Sequence, residues 1–402
     1  MLFYEKDVTF PNELSTALEV ALAENGQTFS AREINRLGDT LSRLWPELAE
    51  KRGIAEQNHY SHRKEFAATY AAYYLPANLL KWACVLDEVQ FVAPLANEST
   101  KICDFGCGPG TVYWGAAWWH WKMNRKLEFV GIDQSHQFSG LAPNLAQSLE
   151  RSLGAQAGTL RARWIDRKLT LESILETVKT ERPTMVTFSN ALAEIAPKIE
   201  DREKIVLALL KTLSVLTDQD SLERKLILLE PASISASREL LELRARLIAH
   251  EGVHVELPCL NNRPCGALAR EGDWCHEEIA VRFPEWMNQI GKQAGLKKEN
   301  LLFSYLVLGQ KAQTGRLARL PRVVSHRFVE KGLTKCWICT ETGKRQIRLL
   351  NSRKNEKNES FEGIRRGDLI EELTLSEKSD VQSLLLFRDL DEVADHNAIV
   401  PS

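Results

Sequence analysis

No apolar run in this chain is long enough to cross a bilayer, so a membrane-spanning role is not expected. The first residues, Met1 to Asp7, lack the charged-then-apolar order of a secretory leader and the Arg/Ser bias of a mitochondrial one. A cytoplasmic location is therefore expected. There the eight cysteines stay reduced, which argues against a disulfide framework and makes clustered thiols candidates for metal. Net charge is nearly absent too: 52 Lys and Arg against 54 Asp and Glu give −2. That balance conceals an asymmetry. Residues 311–360 carry 13 basic and 4 acidic side chains (+9), whereas 361–402 carry 4 basic and 10 acidic ones (−6). A basic segment followed by an acidic tail suits a nucleic-acid surface with a solvated or partner-binding end.

What is present is organised around residues 101–115. A short apolar run ends in Asp104 and passes through Gly106, Gly108 and Gly110 into a segment able to start a helix. The order is strand, glycine turn, helix. Glycine lets the backbone approach a ligand where a Cβ would intrude, and the helix N-terminus offers free N–H donors. The next strand, 127–132, ends in Asp133, 133 − 110 = 23 positions beyond Gly110. An acid that accepts hydrogen bonds from a ribose is expected ~20 positions on. The dinucleotide fingerprint needs G-x-x-G after its first G-x-G, but Gly108 is followed by Pro109, Gly110, Thr111 and Val112, which disfavours NAD. Asp104-Phe105-Gly106-Cys107-Gly108-Pro109-Gly110 instead resembles the first motif of class I S-adenosylmethionine (SAM) methyltransferases. The resemblance implies SAM bound at Asp104, Gly106, Gly108, Gly110 and Asp133.

Residues 1–95 predict a helical domain. Leu14, Leu18 and Leu22 share a helix face, Ser30 and Glu33 form a capping box before Ile34, Leu37, Leu41 and Leu44, and Pro46 should end or kink that helix. The segment 59–75 mixes His59, Tyr60, His62, Arg63 and Lys64 with Tyr70, Tyr73 and Tyr74. It suits either RNA stacking or an amphipathic helix burying its tyrosines. From 96 to 256, candidate strands at 101–105, 127–132, 159–164, 184–189, 225–229 and 253–257 alternate with helix-length segments, predicting a mostly parallel sheet covered on both faces. Trp114, Trp118 and Trp121 share one helical face, which predicts packing of this aromatic run against the sheet or the N-terminal helices. Ligands in such sheets lie beyond the carboxyl ends of the strands, which makes Asn190 and Glu194, after the fourth strand, the candidates for substrate positioning or proton removal. Base amino-methyltransferases carry two prolines and an aromatic here, and this chain has neither.

Cys259, Cys265 and Cys275 fall in a Pro/Gly/Asn-rich stretch that needs something to order it. A fourth ligand is available from Cys336, Cys339, His254 or His276. Zinc accepts such a set, although only Cys336 and Cys339 have the usual C-x-x-C spacing; four irregularly spaced thiolates also suit an iron–sulfur cluster. The radical-SAM spacing C-x-x-x-C-x-x-C is absent. Pro-Cys-x5-Cys, then Asp273-Trp274-Cys275-His276, Phe303 to Leu308, and Cys339-Thr340-Glu341-Thr342-Gly343 are similar to the motif series of the methyltransferase-like proteins of the small ribosomal subunit. That resemblance covers roughly residues 60–360. It implies a class I methyltransferase fold, a [4Fe–4S] cluster on Cys259, Cys265, Cys275 and Cys339 with Cys336 spare, and a role in assembling or supporting the small subunit on its rRNA. Departures such as Leu260-Asn261-Asn262 after Cys259 touch the polar surroundings more than the ligands.

The expected architecture is α/β, a Rossmann-like class I SAM-methyltransferase domain at 96–310. It carries an N-terminal helical domain (1–95), a cysteine-rich metal-binding insertion (257–280), a small basic β unit (311–360, of which 351–360 reads as a flexible linker) and an acidic tail (361–402). Arg319, Arg322, Arg327, Lys331, Lys344, Arg345 and Arg348 are the candidate phosphate contacts. The expected function is an rRNA-binding small-subunit assembly factor, monomeric. An active rRNA methyltransferase and a zinc-stabilised small-molecule methyltransferase are its rivals.

Overall fold

The computed structural model describes residues 8–50, 63–92, 94, 99–156, 158–311 and 316–387. After a two-residue strand, β1 (Val8–Thr9), three helices follow: α1 (Asn12–Glu24), α2 (Ala31–Glu50) and α3 (Lys64–Val92). Leu14, Leu18 and Leu22 form the buried face of α1, as their spacing requires. Pro46 does not end α2, which runs on to Glu50. An interior proline costs ~3 kcal/mol; burial of Leu37, Leu41 and Leu44 in the core offsets it. Helix α3 is buried on nearly every side, the mark of a core helix. Its Tyr73 and Tyr74 are buried, so this part of the basic–aromatic segment packs. His59, Tyr60 and His62 lie outside the described residues.

The chain then alternates: β2 (Ser99–Phe105), α4 (Thr111–Lys122), β3 (Lys126–Asp133), α5 (His136–Ser152), β4 (Leu160–Asp166), α6 (Leu171–Glu181), β5 (Met185–Ser189), the one-turn α7 (Leu192–Ile195), α8 (Ile199–Asp220), β6 (Lys225–Pro231), α9 (Ile234–Leu247) and β7 (His254–Leu257). After β8 (Glu277–Arg282) and α10 (Glu285–Gln293), β9 (Asn300–Gly309) closes the sheet. Its order is β1-β8-β9-β6-β5-β2-β3-β4, with β7 also on β9. Strands β2 to β6 are mutually parallel, and β9 runs antiparallel to β6, β7 and β8. The six expected strands are all present as β2 to β7; β1, β8 and β9 are additional. Residues 258–276 leave the sheet after β7 and return in β8, both paired to β9.

Alternation along the strands sorts side chains into two cores. Ile102 and Phe129 pack with α3 and α4, while Cys103, Phe105 and Val130 pack with α6, α8 and α9. Trp114 and Trp118 are buried in the first core with Trp119, and the half-buried Trp121 packs against it, the packing role expected of this run. Trp118 and Trp119 donate to Glu13 at 3.2 Å and Asp87 at 3.4 Å.

The remaining chain builds a small β unit: β10 (Arg322–Val323), β11 (Phe328–Glu330), β12 (Leu333–Thr340), β13 (Gly343–Leu350), β14 (Ile370–Leu375) and β15 (Val381–Leu386). Residues 351–360, expected as a flexible linker, form ordered turns in which Asn358 is fully buried and donates to Arg353 O at 3.0 Å. Part of the expected acidic tail is folded as well. Phe361, Ile370 and Val381 share a core with Val323, Ile338 and Ile347, and the Asp380 carboxylate accepts from Arg348 and Arg353 at 2.6 and 2.7 Å. Charge-rich letters imply solvation, but a few apolar side chains at alternate positions suffice to close this core.

Candidate cofactor cleft and cysteine cavity

The sheet reverses its winding between β2 and β5, and a cleft of ≈ 960 Å³ opens at the carboxyl ends of these strands and of β3. Gly106, Gly108 and Gly110 adopt φ of +76°, +53° and +87°. A Cβ on Gly106 would lie 2.4 Å from Ala191 Cβ, and one on Gly110 would lie 2.7 Å from the Trp164 ring. The turn is therefore pinned against β5's exit on one side and β4 on the other.

Gly106, Gly108 and Asp133 line the cleft; Asp104 and Gly110 stand behind it. The Asp133 carboxylate accepts from Gly108 N–H and Ser135 N–H, both at 2.8 Å, and burial pushes its pKa up. Asp104 is fully buried; its Oδ1 accepts from Thr187 Oγ1 at 2.7 Å, while Oδ2 has no partner among the described residues. Burial raises its pKa to about 8, with Thr187 lowering it and Asp133 adding to the rise. Such a group contributes stability below its unfolded value of ~3.9 and loses it as pH rises through the folded value. The melting temperature of Asp104→Asn should therefore fall less steeply between pH 5 and pH 8.5 than that of the parent, measured by calorimetry; parallel curves would refute the buried-acid assignment.

Asn190 and Glu194 also line the cleft. Asn190 sits at φ +56°, and its buried Oδ1 has no hydrogen-bond partner among the described residues. Sequence reasoning missed the part of the lining contributed by Tyr73, Tyr74, Asn78 and Lys81 of α3 with Lys298 before β9. The tyrosine pair was the available signal. Only docking of α3 onto the sheet shows which of its faces meets the cleft.

A second, small cavity of ≈ 70 Å³ is lined by Cys259, Cys265, Cys275 and Cys339. Cys336 lies instead in the core of the β unit, because alternation along β12 sends residues 336 and 339 to opposite faces. His276 lines the cavity; His254 does not. Burial and the other three thiols drive the Cys275 pKa up, and burial with Cys259 and Cys265 drives Cys339 up to about 12, with Arg244 and Lys344 opposing. Among the described residues no group of three or more His, Cys, Asp or Glu is arranged to hold a metal ion. The 258–276 loop is ordered by α9: Arg244 donates to Asn261 O and Arg263 O at 2.8 and 3.0 Å, and Arg238 to Asp273 O at 2.6 Å. Lys344 holds Asp273 at 2.6 Å.

Of the candidate phosphate contacts, Arg322 is buried. It pairs with Glu88 of α3 and, at 3.1 Å, with Glu277, while Tyr305 Oη donates to Glu88 at 2.5 Å. Lys344 and Arg348 are engaged with Asp273 and Asp380. Arg319, Lys331 and Arg345 remain exposed.

A doubly wound, mostly parallel sheet with a glycine turn at its switch point and a cleft above it defines a Rossmann-like α/β protein. Residues 64–370, more than half of the chain, match the family model described as mitochondrial small ribosomal subunit Rsm22, and the chain belongs to that family. No curated protein matches the sequence. Solved structures similar to it include YjhP from E. coli (16% identity, 41% of this chain and 55% of that one, TM-score 0.24). Others are a SAM-dependent methyltransferase from Agrobacterium tumefaciens (12%, 59% and 62%, TM-score 0.31) and a protein from Listeria monocytogenes described as a class I SAM-dependent methyltransferase (13%, 74% and 87%, TM-score 0.31). The chain covers less than two thirds of the first two. At these scores the likeness carries no argument. Among the described residues no helix is long and apolar enough to cross a membrane.

Proposed function

We propose that this protein is an assembly or translation factor of the small ribosomal subunit that binds rRNA, holds SAM in its cleft and carries a [4Fe–4S] cluster on Cys259, Cys265, Cys275 and Cys339. The observation that carries the reading is the convergence of four thiols, from a loop and from a strand 64 positions beyond it (339 − 275), on one small cavity. A single zinc ion needs its ligands within ~2.3 Å of one point, whereas a cluster holds its thiolates apart around a body of its own. Arg244, whose buried Nε has no partner among the described residues, and Lys344 line the same cavity. Their charge suits a tetrathiolate cluster and opposes the rise in the Cys339 pKa. The Gly106 close approach and the Asp133 carboxylate suit a nucleoside cofactor; SAM would supply an electrophilic methyl group. A cytoplasmic location and a monomeric state belong to the proposal.

The test is iron, sulfide and zinc content with the visible spectrum, on protein purified without oxygen. Iron and sulfide near four each per chain should be present in the parent and in Cys336→Ala, and lost in Cys265→Ser and Cys339→Ser. Zinc alone would restore the zinc reading. Salt-dependent sedimentation with small-subunit rRNA tests the partner. Methyl transfer to rRNA is a second reading, favoured by the unpartnered Asn190 carbonyl in the cleft, which could accept from a substrate amine while Glu194 takes up a proton. Transfer of labelled methyl from SAM to immature small subunits decides it.

A further inference from the structure

The cleft lining carries two lysines without an acidic partner among the described residues. Lys81 of α3 and Lys298, two residues before β9, both line the cleft, and Lys81 is 6% exposed. No ion pair joins either to a carboxylate among the described residues; Glu299, the nearest acid in sequence, is taken by Lys297 at 2.7 Å. Lys298 Nζ lies 5.6 Å from the ring centroids of both Tyr73 and Tyr74. Burying an ammonium without a counter-charge is costly. Burial and then the Lys298 charge hold Lys81 well below the usual lysine range, and burial lowers Lys298 to about 8. A third group points the same way. The Tyr74 hydroxyl, on a side chain 8% exposed that lines the same cleft, is buried with no hydrogen-bond partner among the described residues.

Two cations and a spare donor around open space match a group with several acceptor oxygens and a full negative charge. The neighbouring Trp82 donates its indole N–H to Ser189 Oγ at 2.8 Å, which ties this stretch of α3 to the β5 end of the cleft, beside Asn190. The methionine moiety of SAM is a poor occupant, since the ammonium beside its carboxylate would be repelled by both lysines. We propose that Lys81, Lys298 and Tyr74 form a phosphate subsite that holds a backbone phosphate of a nucleic-acid strand at the β5 end of the cleft. The inference rests on the cleft being the cofactor and substrate site.

The test uses the full-length protein with inorganic pyrophosphate and S-adenosylhomocysteine as separate calorimetric probes. Pyrophosphate should bind the parent, and Lys81→Gln or Lys298→Gln should each weaken it about tenfold, the worth of one charge-assisted hydrogen bond. S-adenosylhomocysteine affinity should stay unchanged, and a short oligoribonucleotide should displace pyrophosphate from the parent. Lys81→Gln should melt no lower than the parent without ligand, because it removes an unpaired buried charge, so a weaker titration is not misfolding. Unchanged pyrophosphate affinity in both variants would overturn the subsite. An equal loss of S-adenosylhomocysteine affinity would make the anion the cofactor's carboxylate and overturn the phosphate assignment, and failure of RNA to displace pyrophosphate would overturn the nucleic-acid one. Absence of S-adenosylhomocysteine binding in the parent would instead sink the cofactor reading, while the pyrophosphate arm still decides the subsite.

Discussion

Gly106→Val should weaken S-adenosylhomocysteine binding by about 100-fold, ~2.7 kcal/mol, in a calorimetric titration. Two independent costs reach that size. At φ +76° a side chain is strained by ~1–2 kcal/mol, more for a β-branched one. The added Cβ would also lie 2.4 Å from Ala191 Cβ, so the segment carrying Asn190 must move away from the turn. Both changes deform the surface the cofactor is proposed to meet. Gly140, exposed on α5 with nothing within 4 Å of an added Cβ, is the control: Gly140→Ala should leave affinity unchanged. Binding by Gly106→Val within threefold of the parent would show that the ligand does not touch this turn.

Arg322→Met should lower the melting temperature by about 10 °C, from 3–5 kcal/mol lost when one partner of a buried ion network is removed. Arg322 is 6% exposed and stands between Glu88 and Glu277. Burial pushes the Glu277 carboxyl up, and Arg322 offsets part of that rise. Without the guanidinium the folded-state value climbs further above the unfolded ~4.3. Stability from such a group is full below the unfolded value and is lost as pH rises through the folded one. The deficit should therefore be larger at pH 8 than at pH 5, and adding Glu277→Gln should recover part of it. A deficit independent of pH would show that lost packing, not stranded charge, is the cause. Because Arg322, Glu277 and Tyr305 all line the cysteine cavity, the same variant should also retain less iron if the cluster is present.

Much of the scaffold was readable from local patterns. The turn from Asp104 to Gly110 is legible because three glycines at φ between +53° and +87° meet a backbone requirement that few other residues satisfy. Strands β2 to β7 follow from apolar runs bounded by turns, and the Leu14, Leu18, Leu22 face from a period of 3.6. These signals are short-range, so a linear reading captures them. Pro46 shows the limit: read locally it should end or kink the helix, but α2 runs on to Glu50 with Leu37, Leu41 and Leu44 buried in the core.

The sequence alone determined which residue types were available: four cysteines able to meet, a glycine turn with its acid, and a basic segment. Tertiary structure decided which of them act together. Alternation along β12 sends Cys339 to the cavity and Cys336 to a core, a distinction that C-x-x-C spacing does not contain. Arg322 reads as a surface cation until Glu88, 234 positions away, closes on it. Lys81 reads as one polar letter in a core helix until docking of α3 brings it to the cleft with Lys298. Each outcome depends on charges and contacts between residues remote in the chain, which acquire energy only once the sheet has brought them together.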